Sequence, residues 1–110
     1  MPITHTVLFQ FKEGVSKDAI KEICEHFISL KTQCVHPTSN NPYILTLQGG
    51  KDNSPEGMQN GLTHGFVSTF NSAEDRDYYV KSDPAHQAFI AKIKDLLEKA
   101  VVVDFENGVF

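Results

Sequence analysis

Residues 3–12 alternate, with Ile3, His5, Val7, Phe9 and Phe11 on one side and Thr4, Thr6, Leu8, Gln10 and Lys12 on the other. A period of two predicts a strand with one strongly apolar face. Gly14 closes it, and Ser16 stands where a helix N-cap is expected, followed by Lys17 and Asp18. The period then changes. Ile20, Ile23, Cys24, Phe27, Leu30 and Cys34 recur at steps of three and four, which predicts an amphipathic helix to about residue 33. His36-Pro37 and the TSNNP run end it in a turn. A second strand is predicted over 42–48, from Pro42 to Gln48, and a turn-rich loop over 49–61. The third strand spans 63–72, where His64, Phe66, Ser68 and Phe70 alternate with Gly65, Val67 and Thr69. Ser72 or Asn71 caps a short helix over 73–82 that carries Tyr78, Tyr79 and Val80. Asp83-Pro84 breaks it and opens another, with Asp83 as cap and Pro84 in the first turn. Ala85, Phe89, Ile93, Leu96, Leu97 and Ala100 form that helix's apolar stripe, and Val101-Val102-Val103-Asp104-Phe105 is a fourth strand.

The order β-α-β-β-α-β, with its second helical unit split at proline, predicts an α+β ferredoxin-like fold: an antiparallel sheet with helices on one face. If the odd-numbered side of strand one faces the helices, Leu8, Ile44, Val67 and Val102 point away from them. A single unit cannot hide that second face, so a homodimer through the sheet is expected.

Composition narrows the function classes. The chain has 110 residues, enough for one domain spanning 1–110. Ten basic against fourteen acidic residues give a net charge of −4, which argues against nucleic acid as partner. No apolar run approaches the roughly 20 residues that cross a bilayer, so no membrane partner is expected. The N-terminus lacks a secretory pattern, which makes a cytoplasmic location the expectation. Cys24 and Cys34 lie ten residues apart on one helix, about 15 Å, and are expected as reduced thiols. No zinc spacing, nucleotide loop or nucleophile elbow is present, and neither a metal nor a cofactor is expected.

Four stretches together carry a resemblance to a known family. They are His5-Thr6-Val7-Leu8-Phe9-Gln10-Phe11-Lys12, the Gly61-to-Phe70 strand GLTHGFVSTF, Asp83-Pro84-Ala85-His86-Gln87-Ala88-Phe89, and Val103-Asp104-Phe105. In this order they resemble the stress-responsive dimeric α/β-barrel (Dabb) family. The resemblance implies two ferredoxin-like sheets paired into a dimeric α/β barrel, matching the dimer inferred from the sheet. It implies less about activity. Many members are known only as stable stress-associated homo-oligomers, while olivetolic acid cyclase and a fern hydroxynitrile lyase are enzymes of this fold. Their chemistry implies a pocket between sheet and helices, around the histidine of the Pro-Ala-His motif. Here that residue is His86, and the implied walls are Val7, Phe9, Ile23, Phe27, Phe66 and Phe89. Bulky Phe66 would narrow the pocket against long-chain substrates. The resemblance also implies a tyrosine acting with the histidine. Lys81-Ser82-Asp83 lengthens the spacing relative to the cyclase, so Tyr79 or Tyr78 is the candidate, with Tyr79 favoured.

The residues support two readings of His86. A neutral imidazole can take a proton from a carbon activated by a neighbouring carbonyl, with a tyrosine hydroxyl holding the developing charge. Alternatively His86 only stabilises the helix start, and the eight phenylalanines fill the core. His5 and His64, on faces assigned to the helix side, are either substrate contacts or core groups bonded to a carbonyl or to Asp104. A metal site from His5, His64 and Asp104 lacks a characteristic spacing. Two functions therefore stand: a cofactor-independent cyclase or lyase acting on a small apolar carbonyl or phenolic compound, or a non-catalytic stable homodimer. A monooxygenase, as in related barrels, has no support at any position.

Overall fold

The computed structural model describes residues 1–110. Seven elements follow one another: β1 (Ile3–Phe11), α1 (Lys17–Gln33), β2 (Ile44–Lys51), β3 (His64–Phe70), α2 (Ala73–Lys81), α3 (Pro84–Ile93) and β4 (Leu97–Glu106). The strands form one antiparallel sheet in the order β2-β3-β1-β4. This is the ferredoxin-like arrangement that the alternation and caps predict.

Local chemistry sets the helix starts. Ser16 accepts from the Ala19 amide at 3.1 Å, and Ser72 accepts from Asp75 at 3.2 Å. Asp83 has two duties. Its Oδ1 caps α3 by accepting from the Ala85 and His86 amides at 2.9 and 3.4 Å, and its Oδ2 accepts the Tyr43 hydroxyl proton at 2.6 Å. The carboxylate is 1% exposed, so these bonds replace the water it gives up. The core lies between α1 and the sheet. Phe27 stacks on Phe66 with centroids 4.3 Å apart, and Phe9, Phe70, Tyr79 and Phe89 close around them.

Two sequence expectations need correction. The last helix does not run to residue 100. It ends at Ile93, and Leu97 and Ala100 belong to β4, opposite Phe11 and Phe9 of β1. The Lys12 amide donates to the Leu96 carbonyl at 2.8 Å, so pairing with β1 overrides the helical spacing of these residues. The second concerns faces. Leu8 and Val67 do point away from the helices, but Ile44 and Val102 do not. Directly opposed residues share a sheet face. Val102 is opposite Val7 and Ile44 opposite Phe70, and both partners face the helices. The outward residues of β4 are Val101, Val103 and Phe105, opposite Leu8, Thr6 and Thr4.

Candidate functional site

α1 covers β2 and β3, leaving the β1–β4 half of the helix-side face to α2 and α3. A cavity of about 500 Å³ lies there. Its floor is His5, Val7 and Phe9 of β1 with Ala100, Val102 and Asp104 of β4; Phe27 closes the inner end. Arg76, Asp77 and Val80 of α2 and His86, Phe89, Ile90 and Ile93 of α3 form the walls. Lining is predominantly apolar with few polar groups, as in small-molecule pockets.

His86 is buried at the start of α3. Its Nδ1 lies 2.7 Å from the Tyr79 carbonyl oxygen. A carbonyl can only accept, so Nδ1 carries the proton and Nε2 of the neutral ring holds the lone pair. No buried side-chain nitrogen or oxygen lacks a hydrogen-bond partner. His86 Nε2, which has none, therefore reaches accessible space, and the cavity is the space His86 lines. Burial pushes the imidazole below the ordinary value of 6.5; nearby His5 pushes the same way, while the Tyr79 carbonyl and Asp83 oppose it. The ring also stacks on Tyr79, centroids 3.8 Å apart and planes 20° from parallel.

His5 shares the cavity. It sits opposite Asp104 in the β1–β4 pairing, which places its Nδ1 2.6 Å from Asp104 Oδ1. The other carboxylate oxygen accepts from Arg76 Nη1 at 3.0 Å, and Arg76 Nε donates to Asp77 at 2.9 Å. These bonds hold the Arg76 guanidinium above its ordinary pKa and thus charged. A chain of polar groups thereby crosses from β1 over β4 to α2 at one side of an apolar hollow.

The residues assigned to the pocket from sequence divide. His5, Val7, Phe9, Phe27, His86 and Phe89 come together around it. Ile23 and Phe66 are 2% and 1% exposed and pack in the core without lining the cavity. His64 is on the helix-side face but opposite Phe9, four residues along β1 from His5, which is about 13 Å. It packs on Phe11 and bonds to Thr63, so three histidines do not converge and no metal site with Asp104 forms. Neither tyrosine lines the cavity. Tyr78 turns toward His36 and Tyr43, and Tyr79 is a buried platform beneath His86. Arg76 was missed by the sequence reading. Its one signal is being the sole arginine of the chain, a turn before Val80 on α2.

Comparison with known proteins identifies the family and the fold. Residues 3–107 match the family model of the stress responsive A/B barrel domain. The stress-response A/B barrel domain-containing protein HS1 of Arabidopsis thaliana is 33% identical over 105 residues, covering 96% of this chain and 89% of the relative. Olivetolic acid cyclase of Cannabis sativa is 26% identical over 106 residues, covering 96% of both. The structure of a hydroxynitrile lyase from Passiflora edulis superposes with a TM-score of 0.84 at 26% identity, covering 99% of this chain and 96% of that one. A protein from Jannaschia sp., 20% identical with a TM-score of 0.77 over 96% of this chain and 99% of that one, is described as a dimeric ferredoxin-like protein of unknown function. With the family match running almost from end to end, and sheet order and helix placement in accord, the chain belongs to the stress responsive A/B barrel (Dabb) family.

Proposed function

We propose that this protein is a homodimeric binder of a small apolar carbonyl or phenolic compound, with His86 as general base in cofactor-independent cyclase- or lyase-type chemistry. The observation that carries the reading is the unpartnered Nε2 of a neutral, buried His86 on an apolar cavity of about 500 Å³. Cyclase and lyase relatives of the same fold support it. A neutral imidazole held by the Tyr79 carbonyl removes a proton from a carbon next to a carbonyl, and the same bond stabilises the imidazolium formed. The developing enolate oxygen needs a donor. Since both tyrosines lie off the cavity, Arg76 takes that place, and Tyr79 acts as the positioning residue for His86. The outward sheet face, with Leu8, Val67, Val103 and Phe105, is the dimer contact.

The test follows histidine side chains by NMR during titration with aryl ketones, aldehydes and phenols. Expected are selective shifts at His86 and His5, abolished in His86→Ala, with His64 unmoved. Deuterium incorporation at the α-carbon of phenylacetone, above the buffer rate, then reports the base. His86→Gln should abolish it, and Arg76→Gln should slow it about 100-fold with little change in binding. Binding without any exchange would leave a ligand-binding dimer; no shift at His86 or His5 would leave the stable, non-catalytic one.

A further inference from the structure

A second hollow, of about 690 Å³, opens at the far end of the sheet between the first turns of α1 and the ends of β1, β2 and β3. It is separate from the His86 cavity and includes His64. Phe11, Val15 and Ile20 give it an apolar floor. Its rim is made by Lys12, Lys17, Lys21 and Lys51, all exposed, with Glu13 as the only acid. The local charge is therefore +3 in a chain of net −4, which leaves −7 on the rest of the molecule.

None of these four lysines forms an ion pair or a side-chain hydrogen bond. Of the six other cations three are engaged: Arg76 with Asp77 and Asp104, Lys92 with Glu22, and Lys99 with the Asn60 carbonyl. The unpaired Lys31, Lys81 and Lys94 line no part of this hollow; what sets the four rim lysines apart is that they share it. Like charges crowded on one rim repel, and an acidic protein has carboxylates enough to pair them. Their concentration around an apolar floor is the complement of an anionic head joined to an apolar body. Ammonium groups bind as point charges from several directions, which suits a compact dianion better than a planar carboxylate.

We propose that this hollow binds a soluble phosphate monoester with an aromatic or short aliphatic body, the phosphate on the lysine rim and the body on Phe11 and Ile20. The proposal does not depend on the His86 cavity.

1-Naphthyl phosphate is a suitable probe, followed by amide shifts in the intact protein. Saturable shifts are expected at Lys17, Lys21, Gly50 and His64, weakening as salt rises. Lys21→Gln with Lys51→Gln should weaken binding about tenfold, a factor of a few per charge, with melting temperature unchanged. Inorganic phosphate and 1-naphthol should each bind more weakly than the ester. The proposal is overturned if inorganic phosphate does as well, if the double variant binds normally, or if the shifts appear at His5 and His86 instead. Binding to phosphatidylserine vesicles with no response to the ester would overturn it in favour of a membrane-surface role.

Discussion

The chemistry of individual side chains depends on which partner each one has found. Burial disfavours the charged form of His86 and keeps its pKa below 6.5. Above that value the ring is neutral whether the chain is folded or not. As pH falls below 6.5 the unfolded chain takes up a proton that the folded ring resists, so stability falls until pH reaches the folded pKa. His86→Gln keeps a donor for the Tyr79 carbonyl and removes the titration. Calorimetric melting at pH 7.5 and 5.5 should therefore show a smaller acid loss in the variant than in the wild type. His26 and His64 are also lowered by burial but are present in both proteins, so the difference isolates His86. Equal losses would mean that His86 is not held neutral. The sequence made His86 legible through its place behind Asp83-Pro84, and made the His5–Asp104 bond legible as an alternative. It could not place His64, because alternation gives the face of a strand but not the position along it. Nor could it exclude the tyrosines, since on so short a helix a rotation of one residue decides which side chain meets the cavity.

At the scale of elements, short polar signals outperformed long apolar ones. Ser16, Ser72 and Asp83 cap the three helices as their residue types suggest. The stripe through Leu96, Leu97 and Ala100 misled, because the same residues serve as a strand once β1 offers a partner. Asp83 ties two elements together, capping α3 while holding Tyr43 from the segment before β2. Asp83→Ala loses the cap and strands a buried hydroxyl, a cost of about 2–4 kcal/mol. Asn keeps the cap through its single oxygen, but its Nδ2 can only donate toward Tyr43 and leaves that hydroxyl proton unpaired. Asp83→Asn should therefore cost about 1–2 kcal/mol, less than Asp83→Ala. Urea midpoints of the two variants decide this; an Asn variant as unstable as Ala would show that the cap contributes little and that the second carboxylate oxygen, which accepts from Tyr43, carries the effect. Gly49 makes a second element-scale constraint. A Cβ there would lie 2.1 Å from a Phe66 ring carbon and 2.6 Å from the Gly65 carbonyl oxygen. Gly49→Ala must therefore part β2 from β3 or displace Phe66 from Phe27, costing about 1–3 kcal/mol in the same assay.

The whole molecule is a slab, 41 × 32 × 18 Å, with helices on one side of the sheet. Its surface of 7025 Å² exceeds the roughly 6,100 Å² expected of a folded monomer of this mass. Much of the outer sheet face is apolar: Leu45, Val67, Val103 and Phe105 are between 36% and 57% exposed, with Leu8 lying across Gly65 among them. A bare apolar sheet face together with this excess surface supports the proposed homodimer through that face. The β4 register turns this into a sharp test. Val102 and Val103 are neighbours in sequence and exposed to 56% and 57%, yet Val102 looks into the His86 cavity and Val103 looks outward. Val103→Lys combined with Phe105→Lys brings like charges from both copies into one contact and should give monomers in sedimentation velocity. Val102→Lys adds the same charge one residue away on the other face, beside Asp104, and should sediment as the dimer while weakening ligand shifts at His86. If Val102→Lys parts the copies and the outward pair does not, the dimer does not form through the outer face of the sheet.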